Sequence, residues 1–344
     1  MDLIDIKSMQ LEELKQEFSN LPSYRAKQIF SWLHKGVESF EEMTNVPNSL
    51  ILELKSKYYI ANAKIYKKLE SSIDETVKYL FELNDGELIE AVLMKYNHGY
   101  SMCISSQVGC KMGCKFCCTG KSGFSRNLTA SEMLAQITSA QRDLGLRISN
   151  IVLMGMGEPL DNYDNVLRFL RLVSSDEGIN IGIRHISVST CGLVDKIDRL
   201  AKENLGITLS VSLHAPNNDI RNEIMPVNKK WPIEKLIDSC KNYYNTTGRR
   251  ISFEYAMIEG VNDSKKCAYE LKELLSKMQC HVNLIPLNAV NGINLKKSSK
   301  SNIEIFMDIL NKNGIVSTIR RTLGSDINAS CGQLKRHHQE TKGI

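Results

Sequence analysis

The pattern of apolar and polar positions changes character twice along the chain. Up to about residue 60 the apolar positions recur at helical spacing: Leu11, Leu14 and Phe18 form one stripe, and Ile29, Phe30, Trp32 and Leu33 a second. Two alternating runs follow, Thr76 to Phe81 and Leu88 to Met94, around the turn residues Asn84-Asp85-Gly86, and they predict a β-hairpin. From residue 101 a third pattern sets in: an apolar strand, a loop, then an amphipathic helix, repeated. It predicts strands at 101–105, 150–155, 184–190, 206–213, 250–257 and 281–287, with helices over stretches such as 129–145, 232–245 and 264–277. Such alternation predicts an α/β fold, a parallel sheet with helices outside it. The units are too few for an eight-stranded barrel. An open or partial barrel is therefore the expected architecture, with a doubly wound sheet as the alternative. The expected organisation is a helical unit over 1–70, a hairpin extension over 71–100, an α/β core over 101–334 and a basic tail over 335–344.

Composition narrows the class of protein. The 344 residues are 42% hydrophobic and 24% charged, ordinary for a globular chain with one large core or a large domain and a small companion. No stretch approaches the roughly 18 apolar residues that a membrane span needs. The start, Met1-Asp2-Leu3-Ile4-Asp5, lacks the basic-then-apolar pattern of an export signal. The expected address is the cytoplasm, with no membrane partner. In that reducing compartment the ten cysteines stay available for metals and chemistry. The net charge of +5 permits a polyanionic partner without demanding one.

The chemistry concentrates in Cys110-Lys-Met-Gly-Cys114-Lys-Phe-Cys117, a CxxxCxxC run in the loop after the first core strand. Three thiolates on a short loop reach three irons of a cubane, and Gly113 lets the backbone curl tightly. The fourth iron then has no protein ligand in this segment, which leaves a position for a small molecule. A structural zinc site would want four ligands, usually in two CxxC-like pairs, and no second pair exists. Neighbouring Cys118 reads as a small packing residue.

Other polar groups fall at strand ends, where α/β barrels bind their ligands. An apolar strand runs into Gly155-Met-Gly157-Glu158-Pro159, where glycines allow close backbone approach and Glu158 can accept from an ammonium group. Taken alone it is a plain strand-to-helix turn. Ser189, Ser212-Leu213-His214 and Asn288 end further strands. Each singly is an ordinary cap or loop residue, and together they line one rim. Two more cysteines stand apart, Cys103 seven residues before the cluster and Cys331 on an accessible segment of small polar residues. On the residues alone they are two ordinary cysteines.

CxxxCxxC with an aromatic before its last cysteine resembles the radical S-adenosylmethionine (SAM) superfamily. The resemblance implies one 4Fe-4S cluster on Cys110, Cys114 and Cys117, with SAM chelating the open iron and cleaved there to a 5'-deoxyadenosyl radical. It also implies a partial (β/α)6 barrel, here with a small N-terminal helical domain and a linking β-hairpin. The Gly155–Pro159 turn resembles the motif that receives the methionine end of SAM. The cofactor-binding residues this implies are Gly157, Glu158, Ser189, Ser212, Leu213, His214 and Asn288.

A narrower resemblance runs from about Tyr24 to Leu334. Ser105-Ser-Gln-Val-Gly-Cys110, Arg126-Asn-Leu-Thr129, Gly155-Met-Gly-Glu-Pro-Leu160, Ser212-Leu-His-Ala-Pro-Asn217, Pro226-Val-Asn-Lys229 and Ala329-Ser-Cys331-Gly-Gln-Leu334 resemble the dual-specificity RNA adenine carbon-2 methyltransferases of the RlmN type. The family implies methylation of an adenosine in 23S rRNA and another in the anticodon loop of tRNA. It implies that a first SAM methylates Cys331, that a second supplies the radical that takes a hydrogen from the S-methyl, and that the resulting carbon radical adds to adenine. Cys103 then attacks the adduct sulfur, leaving a disulfide. Glu90 matches the family's proton acceptor; on its own it reads as a solvated strand carboxylate. An electron donor such as flavodoxin or ferredoxin is a further implied partner.

The chain departs from the family pattern at Cys118, often Ser or Ala there, at Ser330 in place of Ala, and after Asn288, where Ala-Val replaces the usual Pro. None removes a group the implied mechanism needs. For RNA contact, the basic pairs Lys229-Lys230, Arg249-Arg250, Lys296-Lys297 and Arg320-Arg321, the run Lys335-Arg336-His337-His338, and Tyr24, Arg25, Lys27 and Lys35 are candidates, each otherwise a solvated surface. Three alternatives stand beside this reading. One is carbon-8 methylation of 23S rRNA, the Cfr type associated with antibiotic resistance, although Val108 and Pro159 resemble the carbon-2 branch. The others are a radical enzyme on a small molecule and a non-catalytic iron–sulfur or zinc RNA-binding module.

Overall fold

Ten strands join in one sheet, and their order across it is their order along the chain. They are β1 Ala63–Glu70, β2 Val77–Leu83, β3 Leu88–Tyr96, β4 Gly99–Cys103, β5 Ile148–Leu153, β6 Ile186–Thr190, β7 Thr208–Ser212, β8 Ile251–Met257, β9 Cys280–Pro286 and β10 Val316–Ile319. The computed structural model describes residues 3–288 and 294–329. From β1 to β4 the pairings are antiparallel across short turns, and from β4 to β10 they are parallel. Each parallel step needs a crossover, and helices supply it: Ala130–Leu144, Tyr163–Val173, Val194–Lys202, Ile233–Thr247, Lys265–Leu275 and Lys300–Lys312.

Local chemistry sets the helix ends. Helix Ala130–Leu144 starts where Thr129 Oγ1 accepts from Glu132 N at 3.2 Å and Glu132 Oε2 accepts from Thr129 N at 2.9 Å, a reciprocal capping box. It stops at Gly145, whose φ of 63° suits a left-handed cap.

The two faces of the sheet differ in kind. Val188, Leu209, Val211, Phe253, Val282 and Leu284 are fully buried in the hydrophobic core. The alternate positions carry polar groups in register, Ser189 beside Ser210, Ser212 beside Glu254, and Glu254 beside Asn283. A parallel sheet covered on both faces shows near-continuous apolar runs. The alternation here marks an inner face that borders a cavity.

Strands β4 to β9 and the hairpin β2–β3 lie within a few residues of their expected positions. Two strands of this sheet were not foreseen. β1 falls inside the segment expected to be helical, because it is an edge strand whose charged side chains hide the alternation and whose register shifts between Ile65 and Lys67. β10 is a short edge strand with half of its positions exposed, so its apolar signal is weak.

The N-terminal helices, Leu11–Glu17, Tyr24–Lys35 and Asn48–Lys57, belong to one core with the sheet. Buried Lys7 donates to Thr138 Oγ1 at 3.3 Å, and Arg142 donates to the Gly36 carbonyl at 2.6 Å. At the other end, the segment after β10 is tied to the turn between β1 and β2. Asp326 accepts from Ser71 Oγ and Ser72 N, both at 2.7 Å, and Asp74 accepts from Gly324 N at 2.9 Å. Buried Lys78 donates to the Asn328 carbonyl. Among the described residues no helix is long and apolar enough to cross a membrane.

Candidate functional site

The inner face of the sheet encloses a cavity of about 300 Å³. Residues of β3, β6, β7, β8 and β9 all line it, so the sheet curves around it as an incomplete barrel. Cys110, Cys114 and Cys117 form part of the same wall.

The cysteine loop is held at its base and its middle. Residues Gln107–Gly109 pair antiparallel with Phe124–Asn127, and Cys110 N donates to the Gly123 carbonyl at 2.9 Å. A Cβ on Gly109 would lie 2.0 Å from that carbonyl oxygen, so only glycine allows this closure. Gly113 has a φ of 69°, the tight curl expected of it. Lys115 N donates to the Ile224 carbonyl at 2.9 Å, and the ring of Phe116 stands edge-on to His214 with centroids 4.7 Å apart. Burial pushes the Cys110 thiol up to about 12 and raises Cys114 as well, so both are protonated at neutral pH unless a metal displaces the proton. Soft thiol donors on a short loop facing a cavity suit an iron–sulfur cluster. Among the described residues, no three His, Cys, Asp or Glu side chains are grouped to hold a single metal ion. Cys118 is buried, as a packing residue would be.

At the end of β5 the glycines serve the chain itself first. A Cβ on Gly155 would lie 2.6 Å from the Ile104 carbonyl oxygen, and one on Gly157 would lie 2.5 Å from Gln107 Cβ. Close approach is therefore made to segment 104–107, and Gly157 also borders the cavity. Gln107 Oε1 accepts from Glu158 N at 2.8 Å. Glu158 lines the cavity but is only 3% exposed, with Oε1 accepting from Leu160 N at 3.0 Å and Oε2 from Cys191 N at 2.7 Å. Burial raises its pKa, and these N–H groups oppose the shift.

Ser189, Ser212, His214 and Asn288 border the cavity as expected. His214 Nδ1 accepts from Ala256 N at 2.9 Å, and burial lowers its pKa to about 3. The ring is therefore neutral, with its proton on Nε2. Leu213 is not brought to the cavity wall. Its side chain is fully buried in the core and its N–H donates to the Glu254 carbonyl at 3.1 Å.

Four charged residues near this wall were missed. Glu254, Arg320 and Arg321 line the cavity, and Asn283 Nδ2 donates to Glu254 Oε2 at 2.8 Å. Arg221 is fully buried behind the strand ends. Their signal was available for Glu254, a carboxylate at an inward position of an apolar strand. Arg320, read as half of a surface pair, follows β10, which was itself unforeseen.

A second cluster adjoins the cavity. Cys103, opposite Val92 in register, packs with Val92 and Met94, against which Met154, Leu323 and Ala329 also lie. Glu90 precedes Val92 by two positions on β3 and so shares its face. It is 4% exposed, which corrects the solvated carboxylate expected there: β2 pairs with one edge of its strand, and on the other side Ser105, just past the end of β4, donates its Oγ to the Glu90 carbonyl at 2.6 Å. Cys331 and the basic run from Lys335 lie outside the described residues. No disulfide joins the described cysteines. On the N-terminal unit, Tyr24 is 55% exposed with the Arg25 guanidinium 4.8 Å from its ring centroid, whereas Lys27 is paired with Glu177 at 2.6 Å.

Comparison with known proteins adds to this geometry. A family model described as the Radical SAM superfamily matches residues 104–269. Another, the ribosomal RNA large subunit methyltransferase N-terminal domain, matches residues 1–60. A curated protein of Alkaliphilus oremlandii, named a probable dual-specificity RNA methyltransferase RlmN, is 53% identical over 98% of this chain and 99% of its own length. A protein of Clostridium acetobutylicum with the same name is 52% identical over 96% of this chain and 97% of its own. Among solved structures, a radical SAM methyltransferase from Sphaerobacter thermophilus superposes with a TM-score of 0.92 at 43% identity, over 96% of this chain and 98% of that one.

Proposed function

Because the chain belongs to the RlmN family of radical SAM RNA methyltransferases, we propose that it methylates carbon 2 of one adenosine in 23S rRNA and of one in the tRNA anticodon loop. Cys110, Cys114 and Cys117 would hold the 4Fe-4S cluster, and Glu158, Ser189, Ser212, His214 and Asn288 would surround SAM. Together the cluster and SAM supply one-electron, hydrogen-abstracting chemistry, drawing on an external reductant of the flavodoxin or ferredoxin class.

The chain's own residues carry the rest. Cys331 accepts a methyl group on sulfur and presents it to the adenine. Glu90 takes the proton that leaves carbon 2. The Cys103 thiolate then attacks the Cys331 sulfur: a sulfur–sulfur bond forms, the sulfur–carbon bond breaks with its electron pair left on carbon, that carbon takes up a proton to complete the methyl group, and the methylated RNA departs. The observation that carries this reading is the packing of Ala329, two residues before Cys331, in the same cluster as Cys103 and Val92 on the inner face. Glu90 shares that face and is shielded from water, where a carboxylate is an effective base.

The test is mass spectrometry of RNA from cells lacking and expressing this gene. Appearance of 2-methyladenosine with the gene supports the reading. Appearance of 8-methyladenosine would assign the chain to the carbon-8 reaction instead, and no methyladenosine in either RNA would overturn it.

A further inference from the structure

Arg221 is the largest fully buried side chain among the described residues, and no carboxylate is among the acceptors its guanidinium reaches there. It sits in the short helix Asn218–Ile224. Its guanidinium donates to Leu213 O at 3.1 Å, Asn228 Oδ1 at 2.9 Å, Cys191 O at 2.7 Å and Ser212 O at 3.1 Å. These are neutral acceptors. They satisfy its hydrogen bonds and leave its charge without a counter-charge, an expensive state for a buried ion.

Arg221 stands directly behind the wall that the cysteine loop helps to form: Cys191 and Ser212, whose carbonyls it holds, line the cavity together with Cys114. The thiols of Cys191, Cys114 and Cys240 are the titratable groups nearest its charge. Burial raises Cys191 and Cys240, which stay neutral. Cys114 is the one assigned as a cluster ligand. The same helix grips that ligand's loop, through Lys115 N to the Ile224 carbonyl at 2.9 Å. A cubane bound by three thiolates carries net negative charge and gains one more on reduction, and net charge and hydrogen bonding set its potential.

We propose that Arg221 is the internal counter-ion of the iron–sulfur cluster, a positioning residue that favours the reduced state by opposing the added negative charge. The proposal rests on the assignment of Cys110, Cys114 and Cys117 as cluster ligands. It explains why a cation with no partner of opposite sign is tolerated at the back of the site.

The test compares anaerobically reconstituted wild type, Arg221→Lys and Arg221→Gln by potentiometric titration of the reduced cluster's paramagnetic signal. Gln keeps a donor for the carbonyls without the charge, and Lys keeps the charge without the fork. Arg221→Gln should shift the reduction equilibrium at least about tenfold toward the oxidised form, about 59 mV for one electron. Arg221→Lys should stay close to wild type. A wild-type potential in Arg221→Gln, or equal shifts in both variants, overturns the proposal in favour of a purely structural staple. Should Arg221→Gln fail to accumulate iron-loaded protein while Arg221→Lys succeeds, the charge requirement stands; should both fail alike, it falls. Absence of iron and acid-labile sulfide from the wild type would instead defeat the cluster assignment, before any variant is read.

Discussion

Ser72 and Asp326, 254 residues apart in sequence, are joined twice: Ser72 N donates to Asp326 Oδ2 at 2.7 Å and Ser72 Oγ donates to the same oxygen at 3.0 Å. With Ser71 and Asp74 these bonds fix the segment that leads to Cys331 against the hairpin. Asp326→Ala should lower the methylation rate about tenfold or more, the scale on which a misplaced reacting group costs rate. Iron content and SAM affinity should not change, since neither site touches this turn. Single-turnover rates with equilibrium SAM binding check it; an unaltered rate means the tether does not position the carrier.

The two outlying cysteines should fail in different ways. On the roles proposed for them, Cys331→Ala removes the methyl carrier and should give neither methylcysteine nor protein joined to RNA. Cys103→Ala keeps the carrier but lacks the thiol that releases the product, so protein covalently bound to RNA should accumulate. A nuclease-sensitive shift on a denaturing gel reads the difference. Normal turnover by either variant would refute their assigned roles.

Glu158→Gln replaces one carboxylate oxygen with a donor that must face Leu160 N or Cys191 N. The clash of two donors in a buried site should cost about 1–3 kcal/mol of stability. SAM affinity should fall as well, while the cluster remains. Denaturant melts, calorimetric SAM titration and iron analysis separate the three effects; undiminished SAM binding would remove Glu158 from the cofactor site.

The N-terminal unit should be acid-sensitive through one residue. Both ring nitrogens of His34 lack hydrogen-bond partners, and burial with repulsion from Lys7 lowers its pKa from 6.5 to about 3. Between those values the unfolded chain binds a proton that the folded chain refuses, so stability falls as pH drops below 6.5 and is constant above it. At pH 5 the loss should be about 2 kcal/mol relative to pH 7, at about 1.36 kcal/mol per unit. His34→Leu should abolish that component. Equal acid sensitivity in variant and wild type, by urea melts at pH 5 and pH 7, would show that His34 is not its source.

What could be read in the sequence follows from how strongly each element is patterned. The cysteine loop and the glycine turn before Glu158 were legible because chemistry and steric closeness restrict them to few residue types. Strands β4 to β9 were legible because their outward positions are mostly apolar. β1 was not, since an edge strand rich in lysine resembles any exposed segment. Lys78 and Arg221 were not, because a charged residue in a sequence reads as surface. Only the fold reveals that carbonyls from distant loops surround them. Glu90 misled for the same reason: its burial depends on β2 on one side and on the loop at Ser105 on the other, and one strand's alternation does not report it.

A sheet whose strands line up in the order they are synthesised has a consequence for assembly. Each new strand finds its partner in the element just completed, so pairing proceeds stepwise from the ribosome with little long-range search. The bonds of Asp326 to Ser71 and Ser72 break that rule, joining the last described turn to the hairpin that opens the sheet. The wall around Cys103 is therefore finished only after every strand is made. A ribosome-bound nascent chain has its sheet before it can have the strap that closes it.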